Sequence, residues 1–121
     1  MTAYSVDFLT AYIECALWSS SDNSTESGGE PLDKNYSADD LAPETLAQFQ
    51  RDCEAFFRDN RADLFALGLD QAGHDFWLTR NGHGTGFWDR GLGVVGDRLT
   101  KAAKAYGSSD LYVGDDGKIH C

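Results

Sequence analysis

No CxxC pair occurs in this chain, and its three cysteines, Cys15, Cys53 and Cys121, are an odd number. A disulfide framework is therefore not expected, and the cysteine usage fits a reducing, cytoplasmic compartment. Cys15 and Cys53 fall in stretches of helical periodicity, where a free thiol serves as a small buried hydrophobe. There is no run of about 18 apolar residues, which excludes a conventional membrane-spanning helix. The opening stretch MTAYSVDFLTAYIECALW holds two acids, Asp7 and Glu14, and no Lys or Arg. A secretory signal starts with basic residues, so none is expected here.

Bases are scarce: 10 Lys and Arg stand against 20 Asp and Glu, for a net charge of −10. The imbalance is confined to one part of the chain. Residues 1–70 hold 14 acids and 4 bases, whereas residues 71–121 hold six of each. Such a field repels nucleic acid and anionic lipid and attracts a basic protein surface. No direct nucleic-acid or membrane partner is expected. Acidity of this kind also serves solubility alone.

Motifs for common chemistries are missing as well. There is no HExxH and no Cys/His cluster, so no metal is expected. The Gly-Asp-Asp-Gly turn at 114–117 lacks the alternating oxygen ligands of a calcium loop. Gly82, Gly84 and Gly86 form G-x-G-x-G, but Phe87 and Trp88 follow where a phosphate loop would open a helix, and no P-loop lysine is present. No nucleophile elbow surrounds any serine. His74, Asp75, His83 and Asp89 could meet across a hairpin. Cys121 beside His120 lies too near the chain end to be held ready for nucleophilic attack. No catalytic residue and no cofactor is expected, and the chain reads as non-enzymatic.

What is present is a well-punctuated set of elements. With 41% hydrophobic residues, among them three Trp, five Tyr and seven Phe, the chain can bury a core. Residues 5–19 predict a helix capped by Ser5, with Phe8, Leu9, Tyr12, Ile13, Ala16 and Leu17 on one face. Residues 19–36 are polar and aperiodic and predict a long acidic surface loop. Ser37–Asp40 is a helix-start signal and Pro43 suits a first helical turn. A helix follows over 43–60, with Leu46, Phe49, Cys53, Phe56 and Phe57 inward and Glu54 paired to Arg58 outward. A short helix over 61–67 ends at Gly68.

From Gly73 the periodicity becomes two. Phe76 and Leu78 alternate with Trp77 and Thr79, Asn81-Gly82 is a strong turn signal, and Thr85–Asp89 reads as a return strand bulged at Gly86. This predicts a structural hairpin with Trp77 and Trp88 paired across it. Residues 92–106 predict a helix with Leu92, Val95, Leu99, Ala102 and Tyr106 inward and Gly107 ending it. Residues 110–121 predict a second hairpin. The expected class is α+β in one small domain spanning 1–121, with helices packed on a short antiparallel sheet made of two hairpins, in the order α-α-β-β-α-β-β.

Four stretches, EPLDKNYSADDLAPET (30–45), AGHDFWLTRNGHGTGFWDRGLG (72–93), GDRLTKAAKAYG (96–107) and LYVGDDGK (111–118), together cover much of the chain. On these residues the chain resembles a family of small acidic phage and prophage proteins for which no catalytic residues are established. The resemblance implies a product of a mobile element acting in the cytoplasm of a bacterial host cell. It also implies a protein that inhibits host machinery or a nucleic-acid-binding defence complex by covering a basic surface. Glu30, Asp33, Asp39, Asp40 and Glu44 are the partner-binding residues expected for that role. The alternative is a phage accessory protein with a structural or scaffolding role. The oligomeric state is open.

Overall fold

The computed structural model describes residues 3–22, 29–82, 86–89 and 91–121, without the side chains of Ala3 and Asp89. Residues 23–28 of the acidic loop lie outside the described residues, as do His83, Gly84 and Thr85 of the glycine-rich stretch. Among the described residues four α-helices dominate: α1 (Ala3–Ser19), α2 (Pro43–Leu67), α3 (Leu69–Arg80) and α4 (Val94–Lys104). Two separate antiparallel ladders accompany them, β1 (Ser21–Asp22) with β2 (Glu30–Pro31) and β3 (Tyr112–Val113) with β4 (Ile119–His120). The broad α+β class holds. The shared sheet of two hairpins does not, because the ladders are two residues long and belong to different sheets. No helix among the described residues is long and apolar enough to cross a membrane.

Helix α1 buries every member of its expected stripe, Phe8, Leu9, Tyr12, Ile13, Ala16 and Leu17. It begins at Ala3, so Ser5 lies inside the helix, buried, and is not its cap. In α2, Pro43 occupies the first turn and Phe49, Cys53, Phe56, Phe57 and Leu64 face inward. The expected division near residue 60 appears as a break within one helix. Asn60 leaves helical geometry (φ −125°, ψ 20°), and its Nδ2 donates to the Phe56 carbonyl at 3.0 Å. Arg58 pairs with Asp59 at 3.1 Å rather than with Glu54. Gly68, at φ 102°, turns the chain directly into α3.

The expected first hairpin is the main correction. Residues 69–80 are helical, and Asn81-Gly82 ends the helix instead of joining strands. Gly82 takes φ 74° and its N–H donates to the Thr79 carbonyl at 3.1 Å. Both a tight hairpin and a helix end use a residue in the left-handed region, so the dipeptide serves either. Helix α3 runs through the interior, packed on α1, α2 and α4. From Ala72 to Arg80 every residue except half-buried His74 is buried. A helix covered on all sides carries no amphipathic signal, and the local alternation of Phe, Trp, Leu and Thr stood out in its place.

Gly73 shows why α3 comes so close to α1. A Cβ there would lie 2.6 Å from the Phe8 carbonyl oxygen and 2.9 Å from the Tyr12 nitrogen. Trp77 and Trp88 do not pair: Trp77 is buried against Tyr12 and Phe49, with its indole N–H donated to Ser19 Oγ at 2.8 Å. Trp88 projects from a 3₁₀ turn over Phe87–Asp89 and is 52% exposed. The core is an aromatic stack of Phe8, Phe56, Phe76 and Phe87 with Tyr12 and Tyr106 against it.

Candidate protein-binding groove

Several described side chains of the 74–91 stretch, Asp75, Thr79, Arg80 and Asn81, are taken up by the fold. Arg80 is 3% exposed and stands at the meeting of all four helices. Its Nε donates to the Gly107 carbonyl at 2.9 Å and its second terminal nitrogen to the Tyr106 carbonyl at 3.1 Å, both in the turn that follows α4. The remaining nitrogen donates to Tyr12 Oη at 3.0 Å and Asp52 Oδ2 at 2.8 Å. Burial works against the charge of Arg80, but Tyr12 and Asp52 more than offset it and hold its pKa above the ordinary value. Thr79 Oγ1 accepts the Phe87 N–H at 3.0 Å, and a side chain on Gly86 would collide with Thr79. Asn81 Oδ1 accepts the Ser109 N–H at 2.7 Å. Asp75 is buried and accepts from Gln71 Nε2 at 2.9 Å.

Two of the three histidines are among the described residues, and they stand on different elements, α3 and β4. His74 lies half-buried on α3, which is a helix where a hairpin strand was expected. His120 Nε2 lies 3.1 Å from Asp116 Oδ1, with its ring stacked on Tyr112. Asp116 also accepts the Lys118 N–H, and these two bonds depress its carboxyl pKa. Cys121 is exposed, with Sγ 3.7 Å from Gln48 Oε1. Among the described residues no three His, Cys, Asp or Glu side chains form a group that could hold a metal ion.

The acids lead elsewhere. Residues 29–42 form a strap along α1, held at both ends. At one end β2 pairs with β1, and the Leu32 N–H donates to the Ser20 carbonyl at 3.0 Å. At the other, Leu41 bridges to Ile119 and the Ala42 N–H donates to the Ile119 carbonyl at 2.9 Å. Leu32 is buried and anchors the 3₁₀ turn Leu32–Lys34 against α1. A second 3₁₀ turn, Ala38–Asp40, is tied by the Ser37 N–H to Asp40 Oδ2 at 2.8 Å.

Between this strap and α1 runs a groove of about 340 Å³. Ile13 and Leu17, both buried core residues, form its floor, and Thr10, Tyr36, Ser37 and Ala38 line its sides. Two carboxylates open onto it, Glu14 from α1 and Asp33 from the strap, and both are exposed. Trp18 follows Glu14 by one helical turn and is 62% exposed.

The five expected partner-binding acids occupy different settings here. Asp33 opens onto the groove. Glu30 is half-buried and bonded to Lys34 Nζ at 2.9 Å, so the base beside Asp33 is already engaged. Asp39 is exposed, Asp40 is half-buried as the tie of its turn, and Glu44 is exposed in the first turn of α2. Sequence reasoning missed Glu14 and Trp18. Their signal was present, since Asp7, Thr10, Glu14 and Trp18 recur at 3, 4 and 4 on the side of α1 away from its apolar stripe. The chain matches no protein-family model, and neither a curated protein nor a solved structure is significantly similar to it.

Proposed function

We propose that the chain is a non-enzymatic, phage-encoded inhibitor of a host protein. It acts by laying the face formed by α1 and residues 29–44 over a basic surface that its target, a protein of a defence complex, uses to hold nucleic acid. The observation that carries this reading is the groove itself. It has buried Ile13 and Leu17 and the carboxylate residues Glu14 and Asp33 in its lining, exposed Trp18 one helical turn beyond Glu14, and lies in the part of the chain that carries all the net charge. An interface of this kind combines an aromatic anchor with charges that steer encounter and select the partner. Asp75, Thr79, Arg80 and Asn81 are engaged in bonds within the fold, which supports a structural role for the described part of the 74–91 stretch.

The test is capture on the immobilised chain from lysate of a bacterial host, followed by elution with duplex DNA at low and high salt. The expected result is a host protein that DNA displaces and that binds far more weakly at high salt, because exposed charges are screened. Recovery of no protein that DNA displaces would contradict the reading.

A further inference from the structure

Resting on that reading, we infer that the groove between α1 and the strap receives one arginine side chain from the surface of the partner protein. Among the described residues the charged side chains that line it are anionic, Glu14 from α1 and Asp33 from the strap. Lys34, next in sequence to Asp33, does not neutralise it, because its ammonium is held by Glu30 at 2.9 Å. The floor of Ile13 and Leu17 suits the methylene stem of a long basic side chain, whose head then reaches the carboxylates. Carboxylates only accept hydrogen bonds, so the occupant must donate.

Arginine fits better than lysine on two counts. Its planar fork can meet two carboxylates at once, and its flat face packs on an aromatic ring, which Tyr36 supplies in the wall. The molecule already solves the same problem internally, where Arg80 lies against the rings of Phe76 and Tyr106 while bonded to Asp52. Trp18, at the next turn of α1, is placed to cover the partner surface around the inserted side chain and exclude water from the pair.

The experiment uses the full chain and three synthetic peptides of one Gly-Ser background, with a central arginine, lysine or citrulline. Binding is read by NMR from the signals of Glu14, Asp33 and Tyr36. The arginine peptide should bind at least about tenfold more tightly than the lysine peptide, and uncharged citrulline should leave the signals in place. Glu14→Gln with Asp33→Asn should abolish the response. So should Ala38→Phe, which fills the groove at an exposed position without altering charge. Asp97→Asn, at an exposed position on α4 that does not line the groove, should retain it, and melting curves establish that each variant is folded. Equal binding of arginine and lysine, no response to any peptide, or an unaffected Ala38→Phe variant would overturn the inference. A host protein still captured by Ala38→Phe and displaced by DNA would overturn the arginine pocket while leaving the broader reading intact. Absence of such a protein from the wild-type capture would remove the broader reading instead.

Discussion

Arg80 is a charged residue at a buried position, and its neighbours explain why it is tolerated. Four hydrogen bonds, two of them to carbonyls of the turn after α4, leave little of its guanidinium unsatisfied. Replacing it with methionine would orphan those carbonyls, the Tyr12 hydroxyl and the Asp52 carboxylate together. Arg80→Met is expected to lose about 3–5 kcal/mol in denaturant unfolding, the range for breaking a buried charged pair by removing one partner. An unfolding midpoint near wild type would show that the network is incidental. Three buried acids of another kind set the alkaline limit. Burial, reinforced by the negative charge of Asp75, pushes the Cys15 thiol up from 9.0 to about 12. Burial likewise raises Cys53 and Tyr12. Between pH 9 and 12 the unfolded chain releases a proton from Cys15 that the folded chain retains. Stability is therefore full below the unfolded value and is lost as pH rises through this window. A thermal melt series should be level from pH 7 to 8 and fall from about pH 9 upward. A thiol reagent at neutral pH should label Cys121 alone in the native chain, and rapid labelling of all three cysteines would contradict the burial.

At the scale of elements, the pairing of α1 with α3 organises the rest, and Gly73 sets its spacing. Gly73→Ala would favour an isolated helix by up to about 1 kcal/mol. In place, however, the new methyl meets backbone atoms of Phe8 and Tyr12 and the Ala11 methyl at 2.6–2.9 Å, none of which can swing aside. The net expectation is a loss of about 1–3 kcal/mol, as for overpacked cores, and a more stable variant in denaturant unfolding would show that the helices are not held this close. The elements legible in sequence were those with one wet face. The stripe on α1, the inward positions of α2 and the glycine after α4 all register because solvent on the other side enforces a period of 3.6. Helix α3 was not legible, since being enclosed by its neighbours erases that period. Gly73, Phe76, Trp77 and Thr79 were then read by propensity, which tertiary packing overrode. The candidate site was half legible. Asp33 announced itself in an acidic run, but the groove depends on the strap lying along α1, a long-range contact anchored by Ile119 that no local pattern contains.

For the whole molecule, the charge imbalance and the fold tell one story. The neutral part of the chain, 71–121, supplies most of α3 together with α4 and the C-terminal ladder, and with them much of the internal bonding. The acidic part supplies α1, the strap and α2, and carries the groove. The proposed function thereby rests on a surface distinct from the aromatic, glycine-rich stretch that first draws the eye. The most direct test of that assignment is site-specific photo-crosslinking during capture from host lysate. A photoreactive residue is placed at Thr10, which lines the groove, or at Lys101, exposed on α4. The host protein that DNA displaces should crosslink from position 10 and not from position 101. Crosslinking from position 101 alone, or equally from both, would contradict the account.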